Sequence, residues 1–163
     1  KFTKVDNFIT KNLISPTHYT YGNKKASIVY GSLQNQHGID TQKFFSGDIC
    51  KINFRIKGNY DLAHPVYGFV IRDKYGLEIY GINSNYCGCK KKALSKDEEI
   101  QISFSFNVNL NSGTYFIGLN CTGFENGIDV AYHRLAEIFS FEVISSSKFL
   151  GLYDVKAQIE NFN

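Results

Sequence analysis

Methionine and tryptophan are absent from this sequence, and proline occurs only twice. With no Met at any position, the chain beginning at Lys1 is expected to be a fragment of a longer protein. No apolar run approaches the ~18 residues that a membrane-spanning helix needs, and no signal-type apolar segment stands near the start. Strong charge is missing too. The 18 basic and 15 acidic residues leave a net +3, and the basic ones are scattered apart from Lys90, Lys91 and Lys92. Such a balance argues against a nucleic-acid partner.

The usual catalytic signatures are also missing. Gly76 and Gly81 are spaced like the ends of a phosphate-cradling loop, but Ile82 and Asn83 stand where Lys and Ser or Thr are required. The chain is therefore not itself a P-loop ATPase. It has no GxSxG elbow and no HExxH pair. The carboxylates are scattered over turns and outward positions, so no glycosidase pair is expected. Cysteine is sparse: Cys50, Cys87, Cys89 and Cys121. Cys50 and Cys121 sit in strand-like runs, where buried free thiols are common, and Cys87 and Cys89 are too close to bridge easily. Reduced thiols and a reducing compartment are expected. Cys87-Gly88-Cys89 lacks the second ligand pair of a zinc site. No metal, no cofactor and no enzymatic activity of this domain are expected.

What the sequence does contain is Phe, Tyr and Gly: 14, 11 and 14 residues. Few Ala beside many aromatic and β-branched residues favour strands. The centre of the pattern is residues 66–83, VYGFVIRDKYGLEIYGIN, two apolar arms joined by Asp73-Lys74-Tyr75-Gly76, which reads as a hairpin. On its first arm Tyr67, Phe69 and Ile71 point inward. Residues 49–57 place Cys50, Ile52, Phe54 and Ile56 on one face; residues 99–108 do the same with Ile100, Ile102, Phe104, Phe106 and Val108. Residues 26–33, 114–122 and 136–144 read as further strands, 84–97 and 123–134 as loops, and 149–159 as a last strand that can be exchanged with a partner. Residues 1–25 read as a linker or N-terminal arm with a short helix near 5–13, and 26–163 as the folded domain. Seven to eight strands, with turn signals about every ten residues, predict an all-β antiparallel sandwich.

Four stretches carry a resemblance. They are YGNKKASI (21–28), the hairpin PVYGFVIRDKYG (65–76) with IYGIN (79–83), LNSGTY (110–115) and FSFEV (139–143). Across residues 21–147 the chain resembles the C-terminal domain of Wzt-type ATPases, the nucleotide-binding subunits of ABC transporters that export O-antigen polysaccharides. A Trp often found near the family's C-terminus has no counterpart here. The resemblance implies an immunoglobulin-like β-sandwich, a cytoplasmic place at the inner-membrane face, and a homodimer with exchanged C-terminal strands. It further implies an ATPase domain on the same chain, a membrane subunit as partner, and binding of the O-polysaccharide glycan, often at a modified non-reducing end.

A sugar site needs rings to stack on and planar polar groups for hydroxyls. If strands 26–33, 49–57 and 99–108 lie side by side, Tyr30, Asn53, Arg55, Gln101, Ser103 and Ser105 share an outer face, the preferred carbohydrate surface. Strands 66–73, 114–122 and 136–144 would present Arg72, Phe116 and Asn120, a fallback face better suited to a dimer partner. Tyr86, Phe124, Tyr132 and His133 lie in loops that can rim either site. The alternative reading is a structural or adhesion-type sandwich that binds protein by strand exchange.

Overall fold

Eleven strands and no helix form among the described residues (3–5, 7–89, 92–146 and 149–161) of the computed structural model. They are β1 (Thr3–Val5), β2 (Phe8–Thr10), β3 (Tyr19–Tyr21), β4 (Ala26–Gln34), β5 (Lys43–Phe45), β6 (Ile49–Gly58), β7 (Val66–Asp73), β8 (Glu78–Asn83), β9 (Glu99–Asn107), β10 (Gly113–Glu125) and β11 (Ile128–Ile144). One sheet runs β1-β2-β4-β6-β9; the other runs β3-β11-β10-β7-β8, with β5 added in parallel to the end of β11. The expected all-β sandwich is present, with more than the seven to eight strands expected. The extra ones are short segments at the sheet margins, where three residues leave little periodicity to read.

The inward residues are those the alternation predicts. Cys50, Ile52, Phe54 and Ile56 are buried from the first sheet, and Tyr67, Phe69, Ile71, Tyr115, Ile117, Leu119, Phe139, Phe141 and Val143 from the second. Phe69 lies between the sheets, its ring 5.1 Å from Phe104, 5.5 Å from Phe106 and 6.0 Å from Tyr80.

Val5 lies on β1, and residues 7–13 are not helical. Phe8 and Thr10 alternate with Ile9 on β2, and Phe8 is buried against Phe139 at 6.0 Å. Asn12 then extends the sheet with its side chain, accepting from the Leu33 N–H at 3.0 Å and donating to the Leu33 carbonyl at 3.3 Å. Tertiary pairing overrides the weak local preference there. The described residues of 1–25 thus contribute three strands to the two sheets.

Two other readings are corrected. Residues 128–134 belong to β11, not to a loop, because Asn126-Gly127 closes a tight hairpin with β10; both residues have positive φ, 50° and 82°. That dipeptide is a strong hairpin signal. Residues 149–159 form no strand; the tail makes a single bridge, Tyr153 to Leu110, flanked by backbone bonds to Asn109 and Asn111. Of the lysine run, Lys90 and Lys91 lie outside the described residues.

All four cysteines are free: Cys50 and Cys121 buried, Cys87 and Cys89 exposed. Burial pushes both buried thiols up to about 12, and the thiolate is the reactive form. Iodoacetamide at pH 8 is therefore expected to add twice to the native protein, at Cys87 and Cys89, and four times in urea. Rapid fourfold alkylation without denaturant, read by mass spectrometry, would contradict this packing.

Candidate functional site

The structure brings the preferred face together in rows. Tyr30 pairs with Arg55 and Arg55 with Gln101; Ser32 pairs with Asn53 and Asn53 with Ser103. A register shift between Ile28 and Tyr30 turns Tyr30 outward although Ala26 and Ile28 face the core. A depression of about 360 Å³ results, lined by Tyr30, Ser32, Gln34, Asn53, Arg55 and Gln101. Ser103 and Ser105 lie outside it, and the alternation did not single out Ser32 or Gln34.

The groups of this depression already hold one another. Arg55 lies 5.1 Å from the Tyr30 ring centroid and 3.6 Å from the Glu99 carboxylate. Asn53 donates to Gln34 Oε1 at 3.0 Å and accepts from Ser103 Oγ at 2.7 Å. The Tyr30 face that was expected to stack on a sugar is occupied by Arg55.

On the second sheet, Phe116 pairs with Arg72 and Ser140, and Asn120 with Gly68 and Arg134. Arg72 is bound to Glu78 at 2.5 Å, and Phe116 is only half-buried. The fallback residues therefore share one outer face.

Beside that face lies a cleft of about 680 Å³. Its floor is a row of small side chains, Val66, Thr122 and Ala131, on β7, β10 and β11. Rings surround it: Tyr86 is 81% exposed, Phe124 66%, and Tyr21 is stacked on Tyr19 at 5.9 Å and 14°. Arg134 donates to Tyr21 Oη at 3.2 Å, while Asn83, Asn85 and Asp129 add planar polar groups. The Asn83 side chain also accepts from the Asn85 and Tyr86 amides at 3.0 and 3.1 Å, which fixes the loop carrying Tyr86. At the hairpin tip Glu125 is bound to Lys25 at 2.7 Å, and the hydrogen bond from that lysine holds its carboxyl below the ordinary range.

Tyr86 and Phe124 were expected at a rim and are there. Tyr132 and His133 are buried instead, since β11 continues through them. His133 Nδ1 accepts the Ile28 N–H at 2.8 Å, tying β11 to β4. Tyr21, Asn83 and Arg134 were missed, because the cleft draws on segments more than a hundred residues apart. Among the described residues, no group of three or more His, Cys, Asp or Glu could hold a metal, and no helix is long and apolar enough to cross a membrane.

A family profile, the Wzt C-terminal domain, matches residues 17–155. The chain belongs to that family. Among solved structures it is similar to the C-terminal domain of Wzt, with 23% identity, 93% of each chain covered and a TM-score of 0.85. A Niemann-Pick type C2 protein from the Japanese carpenter ant shares the fold more distantly, at 8% identity, 81% and 99% coverage and a TM-score of 0.54. No match is found among curated protein sequences. Membership places the domain in the context of O-antigen ABC transporters, as a non-catalytic C-terminal unit.

Gly68 pairs with Asn83, one of the residues that line the cleft. A Cβ there would run into the Ile82 carbonyl oxygen and the Asn83 side chain. Gly68→Ala is expected to cost about 1–3 kcal/mol of stability through overpacking, read by urea denaturation. It should also shift the amide resonances of Ile82, Asn83 and Tyr86. A variant as stable as the parent would show that β7 and β8 are not packed this closely.

Proposed function

We propose that this Wzt-family domain binds the O-antigen polysaccharide exported by its transporter, without altering it, and that the aromatic cleft receives the glycan. The observation that carries this reading is the cleft itself: exposed rings of Tyr21, Tyr86 and Phe124 around amide, guanidinium and carboxylate groups. Ring faces take the C–H faces of pyranoses, and planar polar groups take their hydroxyls. A short cleft between the rings of Tyr86, Phe124 and Tyr21 suits a chain end, so the non-reducing end is the part we place there. In this reading the domain sits at the cytoplasmic face of the inner membrane, linked to an ATPase domain and working with a membrane subunit.

The test is a titration of the domain with polysaccharide from its source strain, followed by NMR. Tyr86→Ala, Phe124→Ala and Arg134→Ala should each stay folded and weaken binding roughly two- to twelvefold, from ~0.5–1.5 kcal/mol per lost ring or charged contact. A folded parent domain that binds none of this polysaccharide would overturn the assignment.

We further propose that the domain pairs with a second copy through its tail. Leu150 is 99% exposed, and Val155 and Ile159 are also exposed. The edges of β8 and β9 are unpaired among the described strands. Between them a seam cavity of about 810 Å³ is lined by Ile71, Ile79, Phe106 and Tyr153. These open edges equally favour a second reading, in which a strand of another protein is added. Light scattering should find a dimer that becomes a monomer when the chain ends at residue 148. A monomeric full-length chain would leave strand addition as the better account of those edges.

A further inference from the structure

Strand β9 lies at the margin of the first sheet, and its inner side chains Ile100, Ile102 and Phe104 are only half-buried. Between them and the loop after β8 lies a second cavity on the seam, of about 490 Å³. Pro65 and Tyr67 complete its apolar lining. Three of its polar groups are already engaged. Ser84 Oγ accepts the Tyr67 N–H at 3.2 Å, Ser103 Oγ donates to Asn53 at 2.7 Å, and Lys92 is bound to Glu98 at 3.4 Å. Asn85 and Gln101 differ. Both are exposed, and neither side-chain amide is committed to another group among the described residues. They stand on separate walls, Asn85 on the loop and Gln101 on β9. The Asn85 backbone is fixed, its N–H donating to the Asn83 side chain at 3.0 Å and its carbonyl accepting from Gly88 at 3.1 Å.

This cavity adjoins the aromatic cleft. Val66 and Asn83 line the cleft, their neighbours Tyr67 and Ser84 line the cavity, and Asn85 lines both. A chain that leaves the cleft past Asn85 therefore enters the cavity.

We propose that this cavity is a second glycan subsite, in which a unit behind the terminal one sets its C–H groups on Ile102 and Phe104 and its hydroxyls on the Asn85 and Gln101 amides. The proposal rests on the glycan reading given above and extends it from the chain end to a chain-internal unit. A mostly apolar cavity with a few planar polar groups suits a small ligand of mixed character, and each amide offers both donors and an acceptor to hydroxyls. Among the described lining residues there is no carboxylate, and Lys92 is held by Glu98. The unit bound here is thus a neutral pyranose.

The test is an amide NMR titration of the whole chain with the source-strain polysaccharide, repeated on Gln101→Ala. The parent should show two groups of shifted resonances, one over residues 21, 83, 124 and 134, the other over 89, 92 and 100–104 together with the Gln101 side-chain amide. Gln101→Ala, an exposed change on an edge strand, should keep the first group, lose the second, and bind about two- to twelvefold more weakly. Asn85→Ala should weaken both groups. Bound polysaccharide should also slow iodoacetamide labelling of Cys89, which lines the cavity. Shifts confined to the cleft, or a Gln101→Ala titration identical to the parent's, would overturn the subsite and leave the cleft reading standing. No shifts anywhere would instead remove the glycan reading itself, and this inference with it.

Discussion

The contact of Phe69 with Phe104 and Phe106 is the constraint from which the rest of this molecule follows. Phe69 sits on β7 of one sheet; Phe104 and Phe106 sit on β9, the last strand of the other. Strand β9 pairs only with β6 among the described strands, so its inner side chains are half-buried and need a partner across the gap. Aromatic rings reach across a sheet separation that Val or Ala could not fill, and their edge-to-face and offset contacts add specificity to the area they bury. Once the inner faces are committed to that core, strict alternation sends every second residue to an outer face. Arg55 and Gln101 on the first sheet and Gly68, Asn120 and Arg134 on the second are outward for that reason.

Each outer face is then shaped by local departures from regular strand. On the first sheet, the shift after Ile28 reverses the facing of Tyr30 and brings Gly31 and Leu33 to the buried side. On the second, Asn126-Gly127 prolongs β10 and β11 beyond the sheet into a hairpin, and Gly68 lets β8 and Asn120 approach closely. The cleft lies where the hairpin, the 83–89 loop and β3 meet. Bulges and glycines of this kind re-aim side chains without breaking the ladder, so the rings of Tyr86 and Phe124 stay exposed at no expense to the core.

Much of this was legible in the sequence, for identifiable reasons. The run Cys50-Lys51-Ile52-Asn53-Phe54-Arg55 alternates because one face is buried and the other wet, and a period of two cannot be mistaken over ten residues. The adjacency of Asn53, Arg55, Gln101 and Ser103 followed from the same alternation on two neighbouring strands, whereas the outward Tyr30 depends on the register shift after Ile28. Residues 5–13 were misread because β2 is three residues long and held by Asn12 and Phe8 acting on distant partners, which no local pattern displays. The length of β11 was available in Asn126-Gly127 and was passed over for the surrounding glycines and acids. The cleft could not be read in advance: Tyr21, Asn83 and Arg134 come together only through the order β3-β11-β10-β7-β8.

The proposed glycan site has an energetic logic. Sugar hydroxyls exchange water for protein at little net gain, so a purely polar surface such as the depression, whose groups already hold one another, offers a sugar little. The cleft offers exposed rings as well, on a loop that Asn83 has pre-shaped, so less ordering is left for a ligand to impose.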